Sequence, residues 1–135
     1  METYAFEAQR EIKLPVLLSA IPAGFPSPGD DYIDRFLDLN DLVTNPESTF
    51  FMRVATDSMS NDGIANGDLI VVDRSANPSD GKVVVGALNG ELVIARLAVK
   101  NKRYFLVSDN RPFEIHPESD FRIHGVVTYS IKKHI

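Results

Sequence analysis

Ser58 is the residue whose type and surroundings most invite covalent chemistry. It sits in Thr56-Asp57-Ser58-Met59, just after a run of strand formers and at the head of a loop rich in Asp, Asn and Gly. A serine hydroxyl is a weak nucleophile until a base takes its proton. On this feature alone Ser58 reads as a turn serine bonding its own backbone. Other candidate chemistries are thinner. His116, His124 and His134 are scattered, no pair has the i, i+4 spacing of a zinc site, and cysteine is absent, so neither a metal nor another cofactor is expected. Lys100 to Arg103 is a basic run that reads as turn solvation.

The elements that must position Ser58 are β-strands. Thr49 to Ala55, Leu69 to Val72, Lys82 to Leu88, Glu91 to Leu97, Tyr104 to Val107 and Gly125 to Ile131 are rich in branched and aromatic residues. Asn89-Gly90 between two apolar runs is a strong two-residue hairpin signal. Asn66-Gly67-Asp68 and Asn77-Pro78-Ser79-Asp80-Gly81 mark further turns. Short strands with regular turns predict a mainly β fold, a curled antiparallel sheet or partly closed barrel. Leu39, Leu42 and Val43 are spaced for a short helix over Asp38 to Thr44. Residues 1–31 differ. Pro15 interrupts an apolar run, and Pro22, Gly24, Pro26, Pro28 and Gly29 follow, which predicts an extended arm and linker rather than a helix or central strand. The division expected is an arm over 1–31 and a domain over 32–135.

Composition narrows the classes. The 135 residues, 44% hydrophobic and 24% charged, suit one globular domain with a real core. The net charge of −5 argues against a domain that grips DNA by counterion release and favours a protein partner. No apolar run approaches the ~20 residues that span a bilayer. Met1-Glu2-Thr3-Tyr4 does not begin a signal peptide. A cytoplasmic protein is expected.

The order of motifs is more specific than any one of them. After Asp57-Ser58-Met59 come Gly63-Ile64, then Asn66-Gly67-Asp68-Leu69-Ile70-Val71-Val72-Asp73, and a closing Gly125-Val126-Val127. Upstream stands Ala23-Gly24-Phe25-Pro26-Ser27-Pro28. From about Phe25 to the C-terminus the chain resembles the LexA/UmuD self-cleaving peptidases, in their UmuD-like branch. The resemblance implies a LexA-like catalytic fold and a Ser–Lys dyad with Ser58 as nucleophile. It implies a scissile bond at Ala23–Gly24, and Phe25 reads either as docking the arm in the catalytic groove or as clipping it to the sheet. The Ser58 and Met59 N–H groups are the oxyanion candidates, where one donor is worth ~2.7–4 kcal/mol. It further implies a homodimer, cleavage stimulated by a RecA–single-stranded DNA filament, and later service to a Y-family, UmuC-like polymerase in translesion synthesis. The acidic Asp30, Asp31 and Asp34 read as a solvated linker, or more sharply as a polymerase or recombinase contact.

The pattern breaks at one position. Aligning Gly90-Glu91-Leu92-Val93-Ile94 with the family hairpin puts the dyad lysine at 95, and this chain has Ala95. Alanine has no proton acceptor. Arg96 cannot serve, because a guanidinium does not deprotonate in proteins and the strand turns it to the opposite face. Lys82 and Lys100 are poorly placed. The chain is therefore expected to be cleavage-deficient, through natural loss or, as the intact remainder of the motif favours, through replacement of a lysine by alanine. A LexA-type repressor needs a helix-turn-helix ahead of the cleavage site, where only 23 residues stand. A signal peptidase needs an apolar anchor. A non-catalytic protein regulating a polymerase is the serious alternative.

Overall fold

Branched apolar runs separated by turn residues fold as antiparallel strands in the computed structural model, which describes residues 11–17 and 33–135. In chain order the strands are β1 (Lys13–Leu17), β2 (Ile33–Asp38), β3 (Thr49–Arg53), β4 (Leu69–Asp73), β5 (Val83–Leu88), β6 (Glu91–Lys100), β7 (Arg103–Ser108), β8 (Arg111–Glu114) and β9 (Phe121–Ile131). The chain divides into two units, residues 1–47 and 48–135.

In the first unit β1 and β2 form a two-stranded antiparallel sheet, with Pro15 opposite Phe36. Every strand of such a ribbon is an edge, so a proline that donates no hydrogen bond is tolerated. Within the stretch expected to be an arm, Lys13–Leu17 is thus a paired edge strand and not a central one. The helix expected over Asp38 to Thr44 is a single 3-10 turn, Leu39–Leu42. Asp38 caps it by accepting the Asn40 N–H at 3.0 Å. Two turns of apolar spacing are too few to sustain an α-helix, and the described residues contain none.

The second unit is one seven-stranded antiparallel sheet, ordered β3-β4-β9-β5-β6-β7-β8. β3 and β8 are its edges, so the sheet stays open rather than closing as a barrel. Three two-residue hairpins drive the run from β5 to β8. Asn89 and Gly90 join β5 to β6 with both φ angles positive, as do Asn101 and Lys102 between β6 and β7, and Asp109 and Asn110 between β7 and β8. Positive φ at both positions gives the turn whose twist matches that of paired strands.

Alternation along β5 splits the core in two. Val83 and Val85 join Val54, Met59, Ile64, Ile70 and Val72 in one cluster; Val84 joins Ala95, Leu97, Leu106 and Val126 in another. β9 comes very close to β4, and only a residue without a side chain fits there. A Cβ on Gly125 would stand 2.6 Å from Val72 Cγ1 and 2.9 Å from the Asp73 carbonyl oxygen. This accounts physically for a glycine at the head of the Gly125-Val126-Val127 motif.

Candidate active site

The Ser58 loop is rooted before it is aimed. β3 ends at Arg53, and Val54 closes the loop's base: its N–H donates to the Asp68 carbonyl at 2.8 Å, and its own carbonyl accepts the Gly67 N–H at 2.7 Å. Asp68 is buried and braces the far side. Its carboxylate accepts the Ala65 N–H at 2.9 Å and the Lys132 amine at 2.8 and 2.9 Å. The Ala65 N–H first, and then Lys132, hold that carboxyl below its ordinary value. Between these braces the chain makes a 3-10 turn, Ser60–Asp62, closed by Gly63 with φ of 80°. The turn's N–H groups return to Asp57, Met59 and Ser60 carbonyls at 3.0–3.1 Å.

Neighbouring residues of this loop have opposite fates. Met59 is wholly inaccessible and fills the cluster with Val54, Ile64 and Ile70. Ser58 is half-buried and lines a groove of about 880 Å³. Ala95, on β6 opposite Val84 of β5, lines the same groove and is 2% exposed. Leu88, Val93 and Leu106 give the groove apolar walls, and Asp109 and Arg111 are its ionisable groups. No lysine or histidine is among the described lining residues. Lys82 donates to the Asn77 carbonyl at 2.8 Å, and Lys100 closes β6 at its exposed end. A smaller apolar recess of about 230 Å³ shares Thr56, Leu92, Val93 and Ile94 with the groove and adds Met52, Ile70 and Val85.

The two oxyanion candidates differ in readiness. The Ser58 N–H donates to Thr56 Oγ1 at 3.2 Å. The Met59 N–H has no bond recorded among the described residues, while the Met59 carbonyl accepts from Asp62 and Ile64 at 3.0 and 3.2 Å. Ala23, Gly24 and Phe25, together with Asp30 and Asp31, lie outside the described residues. His116, His124 and His134 are all exposed, and among the described residues no three His, Asp or Glu side chains are grouped to hold a metal ion. No helix of the described residues is long and apolar enough to cross a membrane.

Sequence reasoning missed the partners of the Ser58 loop. Arg96 does turn away from the groove, but to a specific end: its Nε and Nη2 donate to Asp62 Oδ1 at 3.0 and 2.8 Å, and its Nη1 donates to the Gly81 carbonyl. On the other side Asp109 Oδ1, from the β7–β8 turn, accepts the Asn61 N–H at 3.3 Å. These partners lie 34 and 48 residues apart in the chain, and no local pattern announces them.

A half-buried serine on a rooted loop, facing a groove cut into an open antiparallel sheet, defines a protein with the architecture of a β-rich serine peptidase. The chain belongs to the Peptidase S24-like family, whose model matches residues 15–128. It is 39% identical over 122 residues to Protein ImpA of Salmonella typhimurium, covering 88% of this chain and 83% of that protein. Protein MucA of Escherichia coli is 37% identical over 132 residues, covering 94% and 90%. LexA repressor 2 of Xanthomonas axonopodis pv. citri is 34% identical over 118 residues, covering 85% of this chain and 55% of the repressor. The resemblance to LexA/UmuD peptidases read from the Ser58 and Gly63 to Asp73 motifs is borne out.

Proposed function

We propose that this chain is a UmuD-like protein of the SOS response, built to cut its own arm at Ala23–Gly24 with a Ser–Lys dyad. After the cut it would serve as accessory subunit of an error-prone, Y-family translesion polymerase. On this reading residues 1–31 are the cleavable arm and 32–135 the peptidase domain, working in the cytoplasm as a homodimer. As it stands the chain is cleavage-deficient, because Ala95 occupies the place of the base.

One observation carries the reading: Ser58 and Ala95 line the same groove, whose described lining offers no amine or imidazole. A lysine at 95 would project among Leu88, Val93 and Leu106. Apolar surroundings disfavour the charged ammonium, so the neutral amine becomes accessible. The amine takes the Ser58 proton, Oγ attacks the Ala23 carbonyl carbon, and the oxyanion accepts the Met59 N–H. Ser58 N–H joins only by exchanging its bond to Thr56 Oγ1. The ammonium then returns the proton to the Gly24 nitrogen as the peptide bond breaks, and water releases the acyl group from Oγ. Two small residues at the bond let the backbone come close to the hydroxyl. A RecA–DNA filament need only favour the arm conformation that presents this bond.

Restoring the base tests the reading. Ala95→Lys is expected to lose residues 1–23 by intact mass at alkaline pH or with activated RecA; an uncut chain under both conditions would overturn it. A second reading follows from the same Ala95: a protein that regulates a polymerase by contact and never cuts. It predicts that the unaltered chain binds the polymerase, and that restoring the lysine changes nothing in that binding.

A further inference from the structure

The general-base position and an unusual anchor of the serine loop are adjacent residues of one strand. Alternation along β6 sends the Ala95 side chain into the groove and Arg96 to the other face. There the guanidinium spans two elements. Two of its nitrogens hold Asp62, in the turn four residues beyond Ser58, and the third holds the Gly81 carbonyl that leads into β5. The Asp62 side chain is 20% exposed and that of Arg96 41%, so the pair is partly screened by solvent and acts through its geometry rather than through a large ion-pair energy. Met59 roots the loop in the core, the Val54 and Asp68 bonds close its base, and the Asn61 N–H reaches Asp109 on one side. Arg96 ties the Ser60–Asp62 turn directly to β6, the strand that carries residue 95.

We infer that Arg96 is a positioning residue for Ser58, clamping the nucleophile loop through Asp62 to the strand that carries the base. This rests on the dyad reading for its chemical consequence, though not for the clamp itself. The serine and residue 95 are thereby referenced to one strand, and fluctuations elsewhere in the sheet do not change their separation. A planar fork that binds two acceptors at once is needed; a lysine, with one compact ammonium, cannot hold both Asp62 and Gly81. A misplacement of about 1 Å at a reacting atom costs about a hundredfold in rate, so the clamp should register in catalysis far more than in folding.

Two measurements on the full chain decide it. The first is amide hydrogen exchange in the chain with its Ala95. Arg96→Lys and Asp62→Asn are expected to speed exchange in residues 58–63 by about tenfold while β4, β5 and β9 keep their protection. Unchanged exchange in that segment would overturn the clamp whatever the cleavage chemistry does. The second places the same substitutions in the Ala95→Lys background and follows first-order self-cleavage against pH. The expected result is a fall of about a hundredfold with the pH midpoint unmoved, since the base keeps its surroundings and only the geometry is lost. A rate within twofold of the parent, or a loss matched only by general unfolding, would overturn it. If the Ala95→Lys parent does not cleave, the dyad reading fails, and exchange alone decides the clamp.

Discussion

Met59 and Ser58 share a peptide bond and almost nothing else. Burying the methionine completely gives the loop an apolar root, and the fixed geometry from one residue to the next then holds the serine at the groove edge. Met59→Ala should therefore cost about 2–5 kcal/mol in urea unfolding, with the cavity adding to lost burial. A cost under about 0.5 kcal/mol, the range of an ordinary surface change, would show that the root is elsewhere. On the proposed dyad reading, the chemistry of the side chain at position 95 decides rather than its charge. Ala95→Arg supplies a cation of similar reach but no proton acceptor. It should stay uncut where Ala95→Lys cuts; equal cleavage by both would exclude a proton-transfer role. That Ser58 and Ala95 line one groove could be read ahead because the motif around each is local. The Arg96–Asp62 and Asn61–Asp109 contacts were not, because each joins residues distant in the chain by geometry that exists only after folding.

Among elements, legibility followed turn chemistry. The Asn89-Gly90 hairpin was plain, since glycine accepts positive φ without strain. The Asp109-Asn110 turn adopts the same conformation without glycine, and with it β8 went unread, a four-residue edge strand that contains Pro112. Edge position is what permits that proline. β9 begins at Phe121 rather than Gly125, because His124 and Arg122 face solvent and interrupt the apolar run. The close approach of β9 to β4 is testable: Gly125→Ala should destabilise by about 1–3 kcal/mol through overpacking, and a neutral result would refute the contact. The Asp68–Lys132 brace predicts a pH dependence. The Asp68 carboxyl is lowered from 3.8 in the fold, so the folded state binds its proton less readily than the unfolded chain. Its contribution is present above the unfolded value and is lost as pH falls through the folded one. Asp68→Asn should flatten the loss of urea stability between about pH 5 and pH 2; parallel curves for the two proteins would contradict the brace.

At the scale of the molecule, an acidic chain with an apolar groove suits recognition of an apolar peptide better than of nucleic acid. The family match covers most of both units, and two relatives are 39% and 37% identical to the chain over 122 and 132 aligned residues. On the proposed reading, loss of a single amine separates this chain from a working self-cleaving peptidase, while loop, groove and sheet stay intact. The most direct measurement compares Ala95→Lys with Ala95→Lys/Ser58→Ala by intact mass and N-terminal sequencing after incubation with activated RecA. A large fragment beginning at Gly24 is expected from the first and none from the second. A fragment from both, or from neither, would contradict it.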